Sequence, residues 1–388
     1  MQQYDIVIVG GGMVGSALAC ALVQSGLSIA VIEKNAPQPF ESNQPLDLRV
    51  SAISAASASL LKDVDAWSSI LAMRSCPYRY LETWEGSQSN LLFDSQEMGH
   101  QQLGHIVENR MIQLALWQQM EKYSSIDVIS GQAITKISRL QDGYQLAMNE
   151  GELHCKLLVG ADGANSIVRQ TANIGVTSWD YAQHAMLINI STEQAQQDIT
   201  WQQFFPSGPR ALLPLSGNNA SLVWYDSPAR IKALSQMSLS QLKEEIIEYF
   251  PNRIGNFTVD NAGAFPLTRR HAQRYVKEHL CIVGDAAHTI NPLAGQGVNL
   301  GFKDVAVLAK VINEASQQGG TWWQLDVLER YERQRRPDNL LMQSAMDVFY
   351  LTFSNESSPL KLLRNTALKV AQQSSWGKKQ VMKYAMGL

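Results

Sequence analysis

The sequence has no excess of basic residues and no paired cysteines, and each absence excludes a class of protein. It holds 32 lysines and arginines against 35 aspartates and glutamates, so no overall charge attracts nucleic acid. Its four cysteines lie far apart without a C-x-x-C pair, which argues against a zinc site or a disulfide framework. We therefore expect reduced thiols, no metal and no nucleic-acid partner.

Glycine and proline are also not abundant. They number 26 and 13 and follow no period, which excludes a fibrous or disordered chain. Hydrophobic residues make up 45% of the 388 positions, and charged residues 17%. A chain of this length and composition buries a large core and is long enough for two to three domains.

One uncharged run, Ile6 to Val23, has the length of a membrane span. Four glycines interrupt it, which is typical of a turn, and no Lys or Arg precedes it as in a secretory signal peptide. We therefore expect the chain on the cytoplasmic side of the membrane.

The same run begins a βαβ unit. Ile6–Val9 is typical of a buried parallel strand, and Gly10–Gly15 follows it with the spacing G-x-G-x-x-G. Ala17–Val23 predicts a helix, and Ser28–Ile32 a second strand that ends at Glu33. A strand, a glycine turn, a helix and a strand in this order predict a dinucleotide-binding unit.

Each of these residue types has a mechanical reason at its position. Gly10 permits a tight turn, Gly12 lets a pyrophosphate approach the backbone, and Gly15 lets helix and strand pack closely. Glu33 can accept hydrogen bonds from a ribose diol, and an acidic residue there favours FAD or NAD over NADP. The alternative is a glycine-rich loop without a ligand.

Two later apolar runs also end in tight turns. Leu157–Val159 precedes Gly160-Ala161-Asp162-Gly163, and Cys281–Val283 precedes Gly284-Asp285. Residues 292–297 then supply a proline and two glycines.

These three segments together resemble the flavoprotein aromatic hydroxylases, the class that includes para-hydroxybenzoate hydroxylase. The predicted fold is α/β, with a Rossmann-like FAD-binding domain, an inserted antiparallel β-sheet substrate domain and C-terminal helices. The predicted boundaries are 1–75, 100–175 and 266–330 for the discontinuous FAD-binding domain, 76–99 and 176–265 for the substrate domain, and 331–388 for the C-terminal helical region.

The resemblance implies how FAD is bound. The first motif holds the ADP half, Asp285 bonds the ribityl chain, and Asp162 lies near both FAD and the reduced nicotinamide. An aspartate in a turn can instead bond its own backbone, so this alternative stays open for Asp162. The other positions that the resemblance assigns to FAD are Arg49, Gln113, Pro292, Gly295, Gly297 and Val298.

Arg49 and Gln113 would contact the phosphate and ribityl end of FAD. Arg49 has the alternative role of a surface ion-pair partner, and Gln113 that of an exposed helix residue. No second G-x-G-x-x-G is present. The resemblance therefore implies NAD(P)H as a transient co-substrate, with the choice between NADH and NADPH open.

Within the class, the sequence is similar to the ubiquinone-biosynthesis hydroxylases. The similarity is carried by Arg49–Ser54, Leu103–Asn109, Ala264–Leu267 and the segment from Gly284 through Asn299. It implies a polyprenyl benzoquinol and O2 as substrates, with oxygen transferred to the ring from a C4a-hydroperoxide of reduced FAD. The ring position and a complex with other enzymes of the pathway stay open.

Three other functions compete with this one. A flavin-dependent halogenase would carry a W-x-W-x-I-P segment, which is absent here. A nicotinamide dehydrogenase explains the first glycine turn but not Asp285 and the glycines after it. A non-catalytic prenyl- and flavin-binding protein could keep the same architecture.

The substrate domain is predicted from alternating segments. Ala185–Ile190, Arg210–Leu215 and Ser221–Trp224 indicate an antiparallel sheet. Its aromatic residues are candidate pocket walls, although aromatics in strands are more often plain core. They are Trp201, Phe204, Phe205, Trp224 and Tyr225. No catalytic base is assigned, and His184 and His288 are its two candidates.

The C-terminal segment separates charge from the rest of the chain. Residues 357–388 hold six basic residues and no acidic one, against 26 basic and 35 acidic residues before them. Apolar residues recur there at helical spacing, which suits peripheral binding to an anionic membrane. The alternative is a helix packed on its own domain with a solvated basic face.

Overall fold

The computed structural model describes residues 2–85, 90–290 and 297–353. The strands are β1 (Gln2–Val9), β2 (Ile29–Glu33), β3 (Val50–Ser54), β4 (Cys76–Tyr78), β5 (Tyr80–Trp84), β6 (Asn90–Asp94), β7 (Gly104–Glu108), β8 (Ile126–Ser130), β9 (Ile134–Leu140), β10 (Gly143–Met148), β11 (Glu152–Gly160), β12 (Val176–Thr192), β13 (Ile199–Gln203), β14 (Arg210–Pro214), β15 (Asn219–Asp226), β16 (Phe257–Ala272), β17 (Val276–Lys277), β18 (Leu280–Ile282) and β19 (His288–Thr289). The helices are α1 (Met13–Ala21), α2 (Ala55–Asp63), α3 (Trp67–Met73), α4 (Asn109–Met120), α5 (Ile167–Thr171), α6 (Pro228–Leu234), α7 (Leu239–Tyr249), α8 (Gly297–Gln317) and α9 (Leu325–Phe353).

A mainly parallel sheet forms the centre of the first core. Its strands lie in the order β17-β18-β11-β1-β2-β8, and β9 and β10 add an antiparallel hairpin beside β11. In β1 the side chains of Ile6, Val7 and Ile8 are fully buried, as in a strand covered on both faces. The predicted βαβ unit is present, with α1 connecting β1 to its parallel neighbour β2.

Helix α1 differs from its prediction in where it begins. The sequence suggested a start at Ala17, whereas the helix begins at Met13, directly after Gly12. Gly15 therefore lies inside the first turns of the helix rather than in the loop. It is tolerated there because its missing side chain permits the close packing described below.

A second, mostly antiparallel sheet forms a separate layer. Its strands lie in the order β19-β16-β12-β15-β14-β13-β5-β6, and β12 and β16 pair along most of their lengths. One face packs against α6 and α7 through residues such as Ile231 and Ile246. The opposite face shares a hydrophobic cluster with the small sheet β3-β7-β4, which contributes Ala52 and Ile106. The predicted α/β fold with an antiparallel sheet is confirmed.

The long helices α8 and α9 follow the second sheet. Helix α8 packs against α1, and α9 packs against α8. The predicted C-terminal helical region is observed as α9, which continues through Pro337 to Phe353. Residues 354–388 lie outside the described part of the chain, as do the predicted cofactor residues Pro292 and Gly295.

Candidate cofactor site

The turn after β1 uses three glycines for three different reasons. Gly10 has a φ of 104°, and a Cβ there would lie 2.4 Å from the carbonyl oxygen of Ala161. A Cβ on Gly15 would lie 1.9 Å from the carbonyl oxygen of Gly10. Within the described part of the chain, a Cβ on Gly12 would meet nothing within 4 Å. The backbone at Gly12 therefore borders open space at the N-terminus of α1, where a pyrophosphate fits.

The backbone N–H and the backbone carbonyl of Gly11 are both bonded by side chains, and these side chains come from three elements. Its N–H donates to Glu33 Oε2 over 2.8 Å. Its carbonyl oxygen accepts from Gln113 Nε2 at 2.8 Å, Trp117 Nε1 at 2.8 Å and Ser16 Oγ at 3.0 Å. These three donors on one carbonyl oxygen fix the orientation of the peptide group between Gly11 and Gly12.

This arrangement determines where the next N–H points. In a planar trans peptide, the carbonyl of Gly11 and the N–H of Gly12 point in opposite directions. Because Gln113 and Trp117 of α4 hold the carbonyl on one side, the N–H of Gly12 points to the other side. The turn therefore presents a fixed donor for an anionic group.

The two carboxylate oxygens of Asp162 have different environments. Its Oδ2 accepts from the backbone N–H of Ile167 at 2.7 Å and of Val168 at 3.3 Å, which caps the start of α5. Its Oδ1 is buried and has no hydrogen-bond partner among the described residues. A buried acceptor without a partner is costly, so this atom is suited to a donor on a ligand.

Asp285 follows β18 in a short turn and is exposed. Although the residue is exposed, the protein atoms around its carboxyl group remove part of the solvation of that group, which raises its pKa. The charges of His288, Arg49 and Arg270 act against that rise. A carboxylate in a polar crevice next to cationic groups is suited to accept hydrogen bonds from sugar hydroxyls.

Arg49 is exposed on a segment that is anchored on both sides of it. Its carbonyl accepts from the backbone N–H of Asn109 at 3.0 Å. Asp47, two residues earlier, forms a two-point ion pair with Arg110 at 2.8 and 3.0 Å. The charge of Arg49 is therefore presented from a fixed backbone, close enough to affect Asp285.

The glycine turn and the Asp285 turn converge on one side chain. A Cβ on Gly284 would lie 3.2 Å from Val14 Cγ1, and one on Gly301 would lie 2.6 Å from Val14 Cγ2. Val14 belongs to the first turn of α1, next to Gly12. The structure thus brings the first and third predicted segments to one crevice, and the contact of Gly10 with Ala161 adds the second.

Helix α8 begins at this crevice with two of the predicted cofactor residues, Gly297 and Val298. A Cβ on Gly297 would meet no atom of the described residues within 4 Å. Asn299 anchors the helix start to β3, because its Nδ2 donates to Ala52 O at 2.8 Å and its Oδ1 accepts from Ser54 N at 3.1 Å. The free N–H groups of a helix start suit the electron-rich edge of a flavin.

Two of the candidate pocket aromatics are core residues, which is the alternative role that the sequence indicated for them. Trp201 and Trp224 pack with α7 on the face of the antiparallel sheet that lies away from β3. Tyr225 lies on the opposite face, in the cluster shared with β3-β7-β4. Phe204 packs its ring 4.4 Å from that of Phe353 at the end of α9, and the ring of Phe205 contacts Arg210.

His288 has a structural contact. It is 2% exposed, and its Nε2 lies 2.5 Å from Asp304 Oδ2. His184 is half-buried at the strand position opposite Asp226 of β15 and Pro266 of β16. A buried histidine held by a carboxylate cannot reach a substrate, so His288 is removed from the candidates for a catalytic base.

Sequence reasoning missed Trp117 and Ser16 as supports of the glycine turn. One signal was available: Gln113 and Trp117 are four residues apart on a predicted helix and therefore lie on one face. This spacing places both side chains on one face of a helix. It does not show that their common partner lies about one hundred residues earlier in the chain.

Replacing Trp117 with phenylalanine tests this support. The substitution removes one donor to Gly11 and leaves those of Gln113 and Ser16. One neutral hydrogen bond is worth about 1 kcal/mol, so we expect the Kd for FAD to rise about fivefold. Fluorescence titration of the apoprotein with FAD measures it, with Trp323→Phe, near Lys156, as the control. An unchanged Kd in Trp117→Phe would contradict the role.

The fold and the site define a dinucleotide-binding protein of the α/β class, with an antiparallel sheet beside the dinucleotide crevice. The model of the FAD binding domain family matches residues 3–344. The chain belongs to this family.

Curated relatives agree along the whole chain. The chain is 51% identical over 388 residues to a 3-demethoxyubiquinol 3-hydroxylase of Escherichia coli K12, covering 100% of this chain and 99% of the relative. It is 34% identical to the ubiquinone hydroxylase UbiL of Rhodospirillum rubrum, covering 99% and 89%. The predicted FAD-dependent monooxygenase of the ubiquinone-biosynthesis branch is confirmed.

A solved structure supports the fold independently of sequence. The p-nitrophenol 4-monooxygenase PnpA of Pseudomonas putida DLL-E4 superposes with a TM-score of 0.82 at 16% identity. The match covers 100% of this chain and 99% of that one. At this identity the likeness concerns the arrangement of the backbone.

Proposed function

We propose that this protein hydroxylates the ring of a polyprenyl benzoquinol in ubiquinone biosynthesis, with NAD(P)H and O2 as co-substrates. The observation that carries the proposal is the 51% identity, over the full length, to a 3-demethoxyubiquinol 3-hydroxylase. The first choice of substrate is therefore the quinol that this relative's name specifies. Hydroxylation at another ring position of the same pathway is the alternative.

The residues present fit FAD. Among the described residues, Gly12 leaves room for a pyrophosphate, Asp162 offers a buried acceptor without a partner, and Gly297 leaves room at the start of α8. When bound, FAD supplies the redox chemistry that activates O2. Gly10, Gly15 and the segment around Arg49 give this site its shape.

The antiparallel sheet offers a wall for an apolar substrate. Its face toward β3 carries Leu187 and Phe265, which are half-buried beside the buried cluster of Ala185, Leu213, Val223 and Tyr225. An electron-rich quinol ring with a prenyl chain is stabilised against such a surface. The same wall excludes water from the reaction. We therefore assign the parallel sheet to FAD and the antiparallel sheet to the substrate, with the domain boundaries predicted from the sequence.

The test uses purified holoenzyme, NADH or NADPH, and a short-chain demethoxyubiquinol in detergent. We expect a product that is one oxygen atom heavier, labelled from isotopic O2, and NMR of the product identifies the ring position. A product hydroxylated at a different carbon would favour the alternative. Oxidation of NAD(P)H that releases only hydrogen peroxide with every quinol tested would overturn the proposal.

We further propose that the C-terminal segment brings the enzyme to an anionic membrane, where a polyprenyl quinol resides. Residues 357–388 carry six basic residues and no acidic one. The part of α9 that leads to them exposes Leu341, Val348 and Leu351, each 64–67% accessible. Basic charge next to exposed apolar side chains supports binding at the membrane surface. Within the described ranges, no helix is both long and apolar enough to span a bilayer.

Truncation after Ser358 measures the contribution of this segment. Each basic residue near an anionic surface contributes about 1 kcal/mol, so we expect loss of most binding to anionic liposomes in flotation assays. Uncharged liposomes are the control, and binding of the full chain should fall as salt rises. Undiminished flotation of the truncated chain would show that the segment packs elsewhere.

A further inference from the structure

A fully buried carboxylate lies directly behind the Asp285 turn. Asp304 of α8 has no exposed surface and accepts four hydrogen bonds. Its Oδ2 accepts from Gly284 N at 3.1 Å and lies 2.5 Å from His288 Nε2. Its Oδ1 accepts from Arg335 Nε at 2.9 Å and from Asn339 Nδ2 at 3.2 Å. One side chain therefore joins the turn to α9.

The charge state of this carboxylate follows from its partners. Burial raises the pKa of Asp304, but His288 and Arg335 outweigh that effect and hold the pKa below its ordinary value. Arg335 is itself 4% exposed. A buried carboxylate that is ionised and bonded on both oxygens is expensive to leave unpaired, so its partners are held in place.

The position of these partners along the chain is the decisive feature. Gly284 and His288 are the two ends of the turn, and Asp285 lies between them. Gly284 has a φ of 58°, a backbone conformation that glycine adopts without strain. Because one carboxylate binds both ends, the turn has little freedom to rotate the side chain of Asp285 away from the crevice.

We propose that Asp304 is a positioning residue, which aims Asp285 at the sugar-alcohol chain of FAD and extends the cofactor site to α9 through Arg335 and Asn339. This inference rests on the proposed role of Asp285 as an FAD ligand. Residues that orient a ligand-binding group commonly affect affinity as much as direct contacts do.

A purely structural role is the competing explanation. Buried ion pairs are often replaceable without loss of the fold, and breaking one lowers stability wherever it lies. The chain offers a matched control in Arg210 and Asp226, a pair with a 2.9 Å bond. Arg210 is 3% exposed and lies over the ring of Trp224, which packs with α7 away from the crevice.

The experiment compares Asp304→Asn and Arg335→Lys with Asp226→Asn. FAD affinity is measured by fluorescence titration of each apoprotein, stability by thermal unfolding, and flavin orientation by visible circular dichroism. We expect the Kd for FAD to rise at least about tenfold in Asp304→Asn and less in Arg335→Lys, with altered flavin dichroism. Asp226→Asn should lower the melting temperature and leave the Kd and the flavin spectrum unchanged.

Equal melting losses in Asp304→Asn and Asp226→Asn, with wild-type Kd in both, would overturn the proposal. If Asp304→Asn does not fold, His288→Ala, which removes one of the two contacts between the carboxylate and the turn, takes its place under the same criteria. These readouts need no quinol. Failure of quinol hydroxylation by the wild-type holoenzyme would therefore count against the proposed function alone.

Discussion

Replacing Gly12 with valine will weaken FAD binding and leave the protein folded. A Cβ at this position meets nothing within 4 Å, so the side chain enters the open crevice and not the core. There it occupies the volume that the pyrophosphate needs. Overpacking of this kind costs about 1–3 kcal/mol, so the Kd for FAD should rise about 10- to 100-fold. Fluorescence titration with FAD measures it.

Gly15→Ala is the informative partner of this variant. Its Cβ would lie 1.9 Å from the backbone oxygen of Gly10, which cannot yield without moving β1. We expect this protein to aggregate or to unfold at a much lower temperature than Gly12→Val. Thermal unfolding of the two apoproteins separates blocked ligand binding from failed packing. A Gly12→Val protein with the wild-type Kd for FAD would contradict the location of the pyrophosphate.

The glycine turn and its βαβ unit could be predicted from sequence because their determinants are local. Gly10, Gly12, Gly15 and Glu33 lie within one short stretch, and each requirement follows from backbone geometry or charge at its own position. The antiparallel sheet could be predicted for the same reason, since alternation reports which strand positions are buried.

The supports of the site could not be predicted, because they join distant parts of the chain. Trp117 reaches Gly11 from α4, and Arg335 reaches Asp304 from α9. Nothing in the spacing of a tryptophan or an arginine identifies a partner in another element. Only the packing of α4 and α9 on the parallel sheet brings these side chains to the turns.

The choice between pocket wall and core for the aromatics could be predicted only in part. Trp224 and Tyr225 are neighbours on one strand, and neighbouring strand residues point to opposite faces. At most one of them could face the substrate, so the rule of alternation already excluded half of that prediction. Which face of the sheet lies toward the crevice depends on the position of β3, and that position is set by tertiary packing.

The substitution Asp285→Asn should weaken FAD binding and stabilise the apoprotein at pH values above the pKa of Asp285. The carboxylate is the better acceptor for ribityl hydroxyls, and a charge-assisted hydrogen bond is worth about 1.5–3 kcal/mol. We therefore expect the Kd for FAD to rise about 10- to 100-fold. The Asn variant still has an amide oxygen as acceptor, so Asp285→Ala should bind more weakly still.

The pH dependence follows from the direction of the pKa shift. Partial loss of solvation raises the pKa of Asp285 in the folded apoprotein, although the charges of His288, Arg49 and Arg270 act against this rise. A carboxyl whose folded pKa exceeds its unfolded value contributes stability that is present at low pH and lost as pH rises through the folded pKa. Above the folded pKa this contribution is absent, so Asn, which has no charge to desolvate, raises the melting temperature of the apoprotein in that pH range.

FAD binding shows the opposite trend with pH, because the ligand requires the carboxylate form. Wild-type affinity should fall as the solution becomes more acidic than the pKa of Asp285, and the affinity of Asp285→Asn should stay level over the same range. Asp142→Asn, at a carboxylate whose side chain is 76% exposed, is the matched control and should follow the wild type in both assays. An Asp285→Asn protein with wild-type affinity and the same pH profile would place the ribityl chain elsewhere. The site would then depend on the glycine turn and on Asp162 alone.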